Sequence, residues 1–119
     1  MSDKRRCHRL HIELPATFKI SEKDEEISLG TTLDVSALGL CLLTKEVLKV
    51  GQELALQLIL PRGEKIRLQV KVVWVKETDF YGIEDEFMAG IKILEPFRAD
   101  EVKFIKFFVK ELLKSPPLP

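Results

Sequence analysis

The chain has 119 residues, 45% hydrophobic and 32% charged, with 19 Lys+Arg balanced by 19 Asp+Glu, the composition of one globular domain and not of a globally basic nucleic-acid binder. No stretch approaches the roughly 20 apolar residues of a membrane span, and the basic N-terminus lacks the apolar core of a secretion signal. Cys7 and Cys41 stand without motif spacing, which fits a reducing, cytoplasmic setting better than a disulfide framework.

The first segment, KRRCHRLHIEL (4–14), concentrates charge. Residues 1–11 hold Lys4, Arg5, Arg6 and Arg9 against Asp3, a net of +3 that leaves −3 for the remainder. On charge alone this is either a solvated basic terminus or one wall of an anion site. Beyond it the chain alternates: Leu14, Ala16, Phe18 and Ile20 share one face, the period-2 pattern of a half-buried strand. SEKDEE (21–26) is a polar turn, and Ile27, Leu29 and Leu33 are expected to continue in phase on the core face of a second strand. SALG (36–39) is a turn, LCLLT (40–44) a third strand, and KEVLKVG (45–51) a connection whose Leu48 and Val50 tuck under the sheet.

Two long strand patterns follow. QELALQLIL (52–60) aligns Leu54, Leu56, Leu58 and Leu60, and Pro61 with Gly63 makes a turn. KIRLQVKVVWVK (65–76) aligns Ile66, Leu68, Val70, Val72 and Trp74 on the apolar face. Residues 77–87, ETDFYGIEDEF, read as an acidic loop, and MAGIKILE (88–95) as a last strand. The period then lengthens. Val102, Ile105, Val109 and Leu112, with Phe108 beside them, form the apolar stripe of a helix, with Asp100 as its N-cap and Lys110 and Lys114 suiting its C-terminal dipole. The expected fold is mainly β: a six-stranded antiparallel barrel over 13–98, a basic arm over 1–12 before it, and one C-terminal helix over 99–114.

Two stretches carry candidate chemistry. Arg5 and Arg9 are four residues apart on the lead-in, and arginine forks donate bidentate hydrogen bonds to phosphate or to guanine and stack on flat rings. In DVSALGL (34–40), Asp34 and Ser36 lie two apart and share a face if the segment is extended. A carboxylate there accepts from a guanine edge, a hydroxyl donates or accepts, and Gly39 permits positive φ or close backbone approach. Each stretch alone has a bland explanation, a solvated tail or a strand end with a glycine turn.

Together, R-x-x-x-R before the first strand and D-x-S-x-x-G some 25 residues later resemble the PilZ domain family, and the resemblance spans nearly the whole chain. LPATFKI is similar to that family's first strand, LILPRGEKIRLQVKVVWV to its central hairpin and AGIKI to a later strand. The resemblance implies a six-stranded barrel with a C-terminal helix that binds cyclic di-GMP, the bacterial second messenger. It implies Arg5 and Arg9 as the residues gripping phosphates and guanines, and Asp34, Ser36 and Gly39 as the second half of the site. Lys4 and Arg6 stand as additional contacts. Lys4 occupies a position where the family often has arginine, and lysine does not reproduce a stacked, bidentate guanidinium. Ile93 stands where an aromatic is frequent.

Other classes fit less well. Cys7, His8, His11 and Cys41 have no zinc-ligand spacing, so no metal is expected. No nucleophile-elbow or phosphate-binding glycine loop is present, so no catalytic residues and no enzyme activity are expected. An RNA-binding barrel needs aromatic platforms with interleaved cations, whereas most phenylalanines here fall at helical spacing. An interaction module without ligand is the remaining alternative. Phe104, Phe107 and Leu113 widen the helix beyond one stripe, which suits a homodimer, a partner contact or a broad core interface. A downstream effector protein in motility or biofilm regulation is expected from the family, and the sequence does not say which.

Overall fold

The structure is a computed structural model that describes residues 9–20, 26–78, 86–96 and 98–114. Six strands, β1 (Pro15–Lys19), β2 (Ser28–Val35), β3 (Gly39–Thr44), β4 (Glu53–Ile59), β5 (Lys65–Glu77) and β6 (Phe87–Pro96), precede one helix, α1 (Arg98–Lys114). They close into a barrel in the order β1-β2-β3-β6-β5-β4, with every neighbouring pair antiparallel. Closure leaves no unpaired sheet edge.

The core follows the alternation of the strands. Leu14, Ala16 and Phe18 point inward from β1 and its approach, Leu54, Leu56 and Leu58 from β4, and Ile66, Leu68, Val70 and Val72 from β5. Leu48 joins them from the 45–51 connection, whereas Val50, expected beside it, is exposed. Strand β2 departs from the expected phase. Ile27 and Leu29 face outward, at 57% and 71% exposure, and Leu33 is half-buried. The inward positions are instead Thr32 and Val35. Thr32 is tolerated there because its hydroxyl donates to the Ile12 carbonyl at 2.7 Å and accepts the Leu14 N–H at 2.8 Å, so its buried oxygen is not left without a partner. This hydroxyl ties the chain before β1 to the wall of the barrel.

Three bulges interrupt the ladders. Leu33 is the extra residue between Thr32↔Leu42 and Asp34↔Cys41, Val73 between Val72↔Ile91 and Trp74↔Gly90, and Leu94 between Val70↔Ile93 and Gln69↔Glu95. The Leu33 and Val73 bulges reverse the in–out alternation beyond them. The acidic segment begins and ends as strand, since β5 runs to Glu77 and β6 starts at Phe87; its residues 79–85 lie outside the described residues.

Helix α1 also differs from expectation. Its buried face is Phe104, backed by Phe107 and by a Phe104–Phe108 ring pair 6.3 Å apart. Val102, Ile105 and Val109, expected to face the core, are about half exposed. Asp100 is in the first turn and acts across the interface: its carboxylate accepts the Arg67 backbone N–H at 2.6 Å and the Arg67 Nε at 3.2 Å. The Arg67 amide lies just past the Leu68↔Pro96 pair where β6 ends, so Asp100 supplies the acceptor that the sheet no longer provides. Burial raises the Asp100 carboxyl, but the hydrogen bonds from Arg67 and the charges of Arg67 and Lys103 outweigh it and leave its pKa below the usual carboxylate range. No helix of the described residues is long and apolar enough to cross a membrane.

The topology sets where these parts meet. Because β1 is antiparallel to both β2 and β4, the latter two run in the same direction and end at the same rim. That rim therefore gathers the chain entering β1, the β2–β3 turn, the β4–β5 turn and the junction of β6 with α1.

Candidate functional site

The site is built at this rim from three short pieces of chain. The entering segment is held by a two-residue bridge, Leu10 N–H to Val35 O at 2.8 Å and Val35 N–H to Leu10 O at 2.9 Å, with the Leu10 side chain buried. Arg9, immediately before this bridge, reaches Asp34: Nη1 to Oδ1 is 3.6 Å. Arg9 is half exposed and Asp34 largely covered, with side-chain exposures of 47% and 17%. Asp34 faces this way because of the Leu33 bulge. Without that extra residue, Asp34 would follow Thr32 into the core, where an ionised carboxylate is expensive.

The β2–β3 turn is closed by Ser36. Its backbone N–H donates to Gly39 O at 2.7 Å, its hydroxyl donates to the same carbonyl at 3.0 Å, and Oγ accepts the Gly39 N–H at 3.1 Å. The hydroxyl is thus occupied in shaping the turn. Gly39 serves by close approach: a Cβ there would collide with the Ile91 carbonyl oxygen on β6, and its φ is not among the positive ones. The Leu38 carbonyl accepts Ile93 N–H at 2.9 Å, fastening the turn to β6.

Asp34, Ser36 and Gly39 line an open hollow of about 200 Å³ with Arg9, Cys41, Trp74, Gly90 and Lys92. Trp74 and Lys92 were not expected here. The alternation of β5 places Trp74 in the core, but the Val73 bulge turns it out, leaving it 43% exposed with its indole lying over Gly90. A Cβ at Gly90 would run into the indole ring. A glycine in the middle of an apolar strand signals close approach of another group, and Gly90 is the sequence feature that could have announced an outward aromatic opposite. Cys41 forms the floor. Burial, and secondarily the Asp34 charge, raise its thiol to about 11 despite the opposing effect of Arg9, so it stays a neutral thiol near pH 7.

Of the expected site residues, Arg9, Asp34, Ser36 and Gly39 come together. Arg5, Lys4 and Arg6 lie outside the described residues, as do Cys7 and His8. His11 is exposed. Among the described residues no group of three or more His, Cys, Asp or Glu gathers as for a metal ion. The arrangement offers one guanidinium, one carboxylate with a free lone-pair side, an exposed indole face and an ammonium from Lys92 around one hollow. That set suits an anion bearing a flat, hydrogen-bonding ring.

A PilZ domain model matches residues 3–110. The chain belongs to the PilZ domain family. Its fold is shared with several solved structures. The "PilZ domain with c-di-GMP of YcgR from Escherichia coli" aligns with a TM-score of 0.71 at 14% identity, covering 94% of each chain. The apo structure of K. pneumonia MrkH gives a TM-score of 0.76 at 19% identity, covering 96% of this chain and 53% of that one. The Bacillus subtilis inhibitor of motility (MotI/DgrA) gives 0.74 at 16% identity, covering 97% and 54%. This PilZ chain thus spans about half the length of the Bacillus and K. pneumonia proteins. No curated protein matches it by sequence.

Proposed function

We propose that this PilZ domain is a receptor for cyclic di-GMP that acts through a partner protein and catalyses no reaction. The observation that carries the reading is the juxtaposition of Arg9 and Asp34 at a hollow whose other wall is the exposed Trp74 ring. In this reading Arg5 and Arg9 bracket the phosphates and stack on guanine. Asp34 accepts from the guanine N1–H and N2–H edge, and Trp74 offers a second stacking face. The Ser36 hydroxyl, engaged by Gly39, presents the turn, and Gly39 lets that turn lie against β6. Lys4, Arg6 and Lys92 add positive charge around the nucleotide.

Energetics support exchange of partners. A long ion pair with one exposed partner, such as Arg9–Asp34 at 3.6 Å, contributes about 0–1 kcal/mol, whereas each charge-assisted contact to a bound ligand contributes about 1.5–3 kcal/mol. Opening the pair to seat a nucleotide is therefore favourable. The Leu10–Val35 bridge is a fixed point directly after Arg9, so the arm preceding it closes over the nucleotide from there, and the changed surface is what a partner reads. Neighbours described as binding c-di-GMP, YcgR and MrkH, share the fold that this mechanism needs.

Calorimetric titration with cyclic di-GMP, GTP and cyclic AMP tests the reading. Selective binding of cyclic di-GMP, with a measured stoichiometry, is the expected result; no binding of it would leave an interaction module. Hydrogen–deuterium exchange over residues 3–10 tests the arm: exchange should slow on ligand addition, and unchanged rates would refute closure.

A further inference from the structure

The exposed side of α1 has a pattern that neither the barrel nor the proposed nucleotide site uses. Val102, Ile105, Val109 and Leu112 are spaced three, four and three apart, the a-d-a-d repeat of two heptads, with β-branched valine at both a positions. Val102, Ile105 and Val109 are 55%, 52% and 47% exposed, and Leu113, next to the seam at an e position, is 82% exposed. The face that α1 turns to the barrel, Asp100, Phe104 and Phe107, is centred roughly 140° around the helix from this seam. The barrel leaves Val102, Ile105 and Val109 open, with Leu112 half-buried, and a second helix can approach them from that side.

We infer that α1 pairs with α1 of a second copy of this chain as a short parallel two-stranded coiled coil. Self-pairing is favoured by what flanks the seam. In a parallel pair, position g of one helix faces the following e position of the other, which sets Phe108 against Leu113 of the second copy and accounts for so exposed a leucine. Lys103, Lys110 and Lys114 fall at b and f positions, away from the seam, and the same g–e register pairs Glu101 at g with Lys106 at e, residues of opposite charge. Valine at both a positions and leucine at the second d suit two strands, while isoleucine at the first d also admits three. The seam presents on the order of 300 Å² of apolar side chain per copy, well short of the roughly 800 Å² per partner of a standard stable complex. The pair is consequently weak and concentration-dependent, with a dissociation constant of roughly 10 μM to 1 mM.

Sedimentation equilibrium of the full chain from about 1 μM to 1 mM tests this. The wild type should pass from monomer to dimer, and Ile105→Glu/Val109→Glu should raise the dissociation constant at least about 30-fold, since a charge is then placed in the seam of both copies. Val102→Ser/Leu113→Ser gives the same direction without adding charge, in case the double glutamate variant does not fold by circular dichroism. Leu29→Glu, which alters an equally exposed leucine on β2, should associate like wild type. A wild type that stays monomeric, seam variants that associate like wild type, or loss of association in Leu29→Glu would overturn the proposal.

Discussion

Replacing Asp100 by asparagine removes one charge from a side chain that is 3% exposed and leaves its size unchanged. The carboxylate accepts two hydrogen bonds from Arg67, at 2.6 and 3.2 Å, and has Lys103 Nζ at 4.0 Å. Both bonds end on Oδ2, so an asparagine oxygen in that place still accepts them but without charge assistance, and the amide NH2 replaces the oxygen that faces Lys103. The expected cost is about 2 kcal/mol, the range for a buried charge-assisted bond. At roughly 2.1 cal/mol/K per residue of unfolding entropy, that lowers Tm by about 8 °C for a domain of this size. The effect has a sign in pH. Folding lowers the Asp100 pKa, so the carboxylate adds stability above its unfolded value near about 3.9 and loses that stability as pH falls through its lower folded value. Thermal melts of wild type and Asp100→Asn at intervals from pH 7 to about pH 2 should therefore converge at the acid end. Equal Tm at pH 7, or a full gap that persists in acid, would refute the role given to this carboxylate.

Three further outcomes follow from the same geometry. Trp74→Ala should weaken cyclic di-GMP binding by roughly 5- to 100-fold, the equivalent of one lost stacking contact, while Trp74→Phe loses less; calorimetry on both, with unchanged affinity in the alanine variant, would remove Trp74 from the site. Thr32→Val strips the hydroxyl that serves Leu14 N–H and Ile12 O, and urea unfolding should show a loss of about 1–3 kcal/mol; a variant as stable as wild type would mean those groups find other partners. Cys41, with its thiol raised to about 11, forms little thiolate at pH 8 and should react with a disulfide reagent much more slowly than an unfolded thiol, measured in Cys7→Ser protein before and after denaturation; equal rates in the native and unfolded protein would contradict the raised thiol.

The barrel was legible because most of its strands alternate strictly. Leu54, Leu56 and Leu58 on β4 and Ile66, Leu68, Val70 and Val72 on β5 are apolar at every second position and all are buried. What alternation cannot show is a bulge, since one inserted residue leaves no mark in composition yet reverses every side chain after it. Asp34 and Trp74 are both turned outward in this way. Asp34 and Ser36 both line the hollow, but through the Leu33 bulge and the 36–39 turn and not through an extended segment. Ile27 and Leu29 misled because β2 buries a hydrogen-bonded threonine and leaves its leucine and isoleucine outside. In α1, the most regular stripe was assigned to the core, but the bulkier Phe104 and Phe107 hold the barrel. Helical spacing says that a face is apolar; it does not say which body covers it.

The central claim is that the arm and the 34–39 turn form two halves of one nucleotide site. Titrating cyclic di-GMP into wild type, Arg5→Ala, Arg9→Ala and Asp34→Ala, each shown to be folded by circular dichroism, tests it most directly. Each variant should bind roughly 10- to 100-fold more weakly than wild type, the equivalent of one charge-assisted contact. Wild-type affinity in the Arg5 and Arg9 variants would contradict the account.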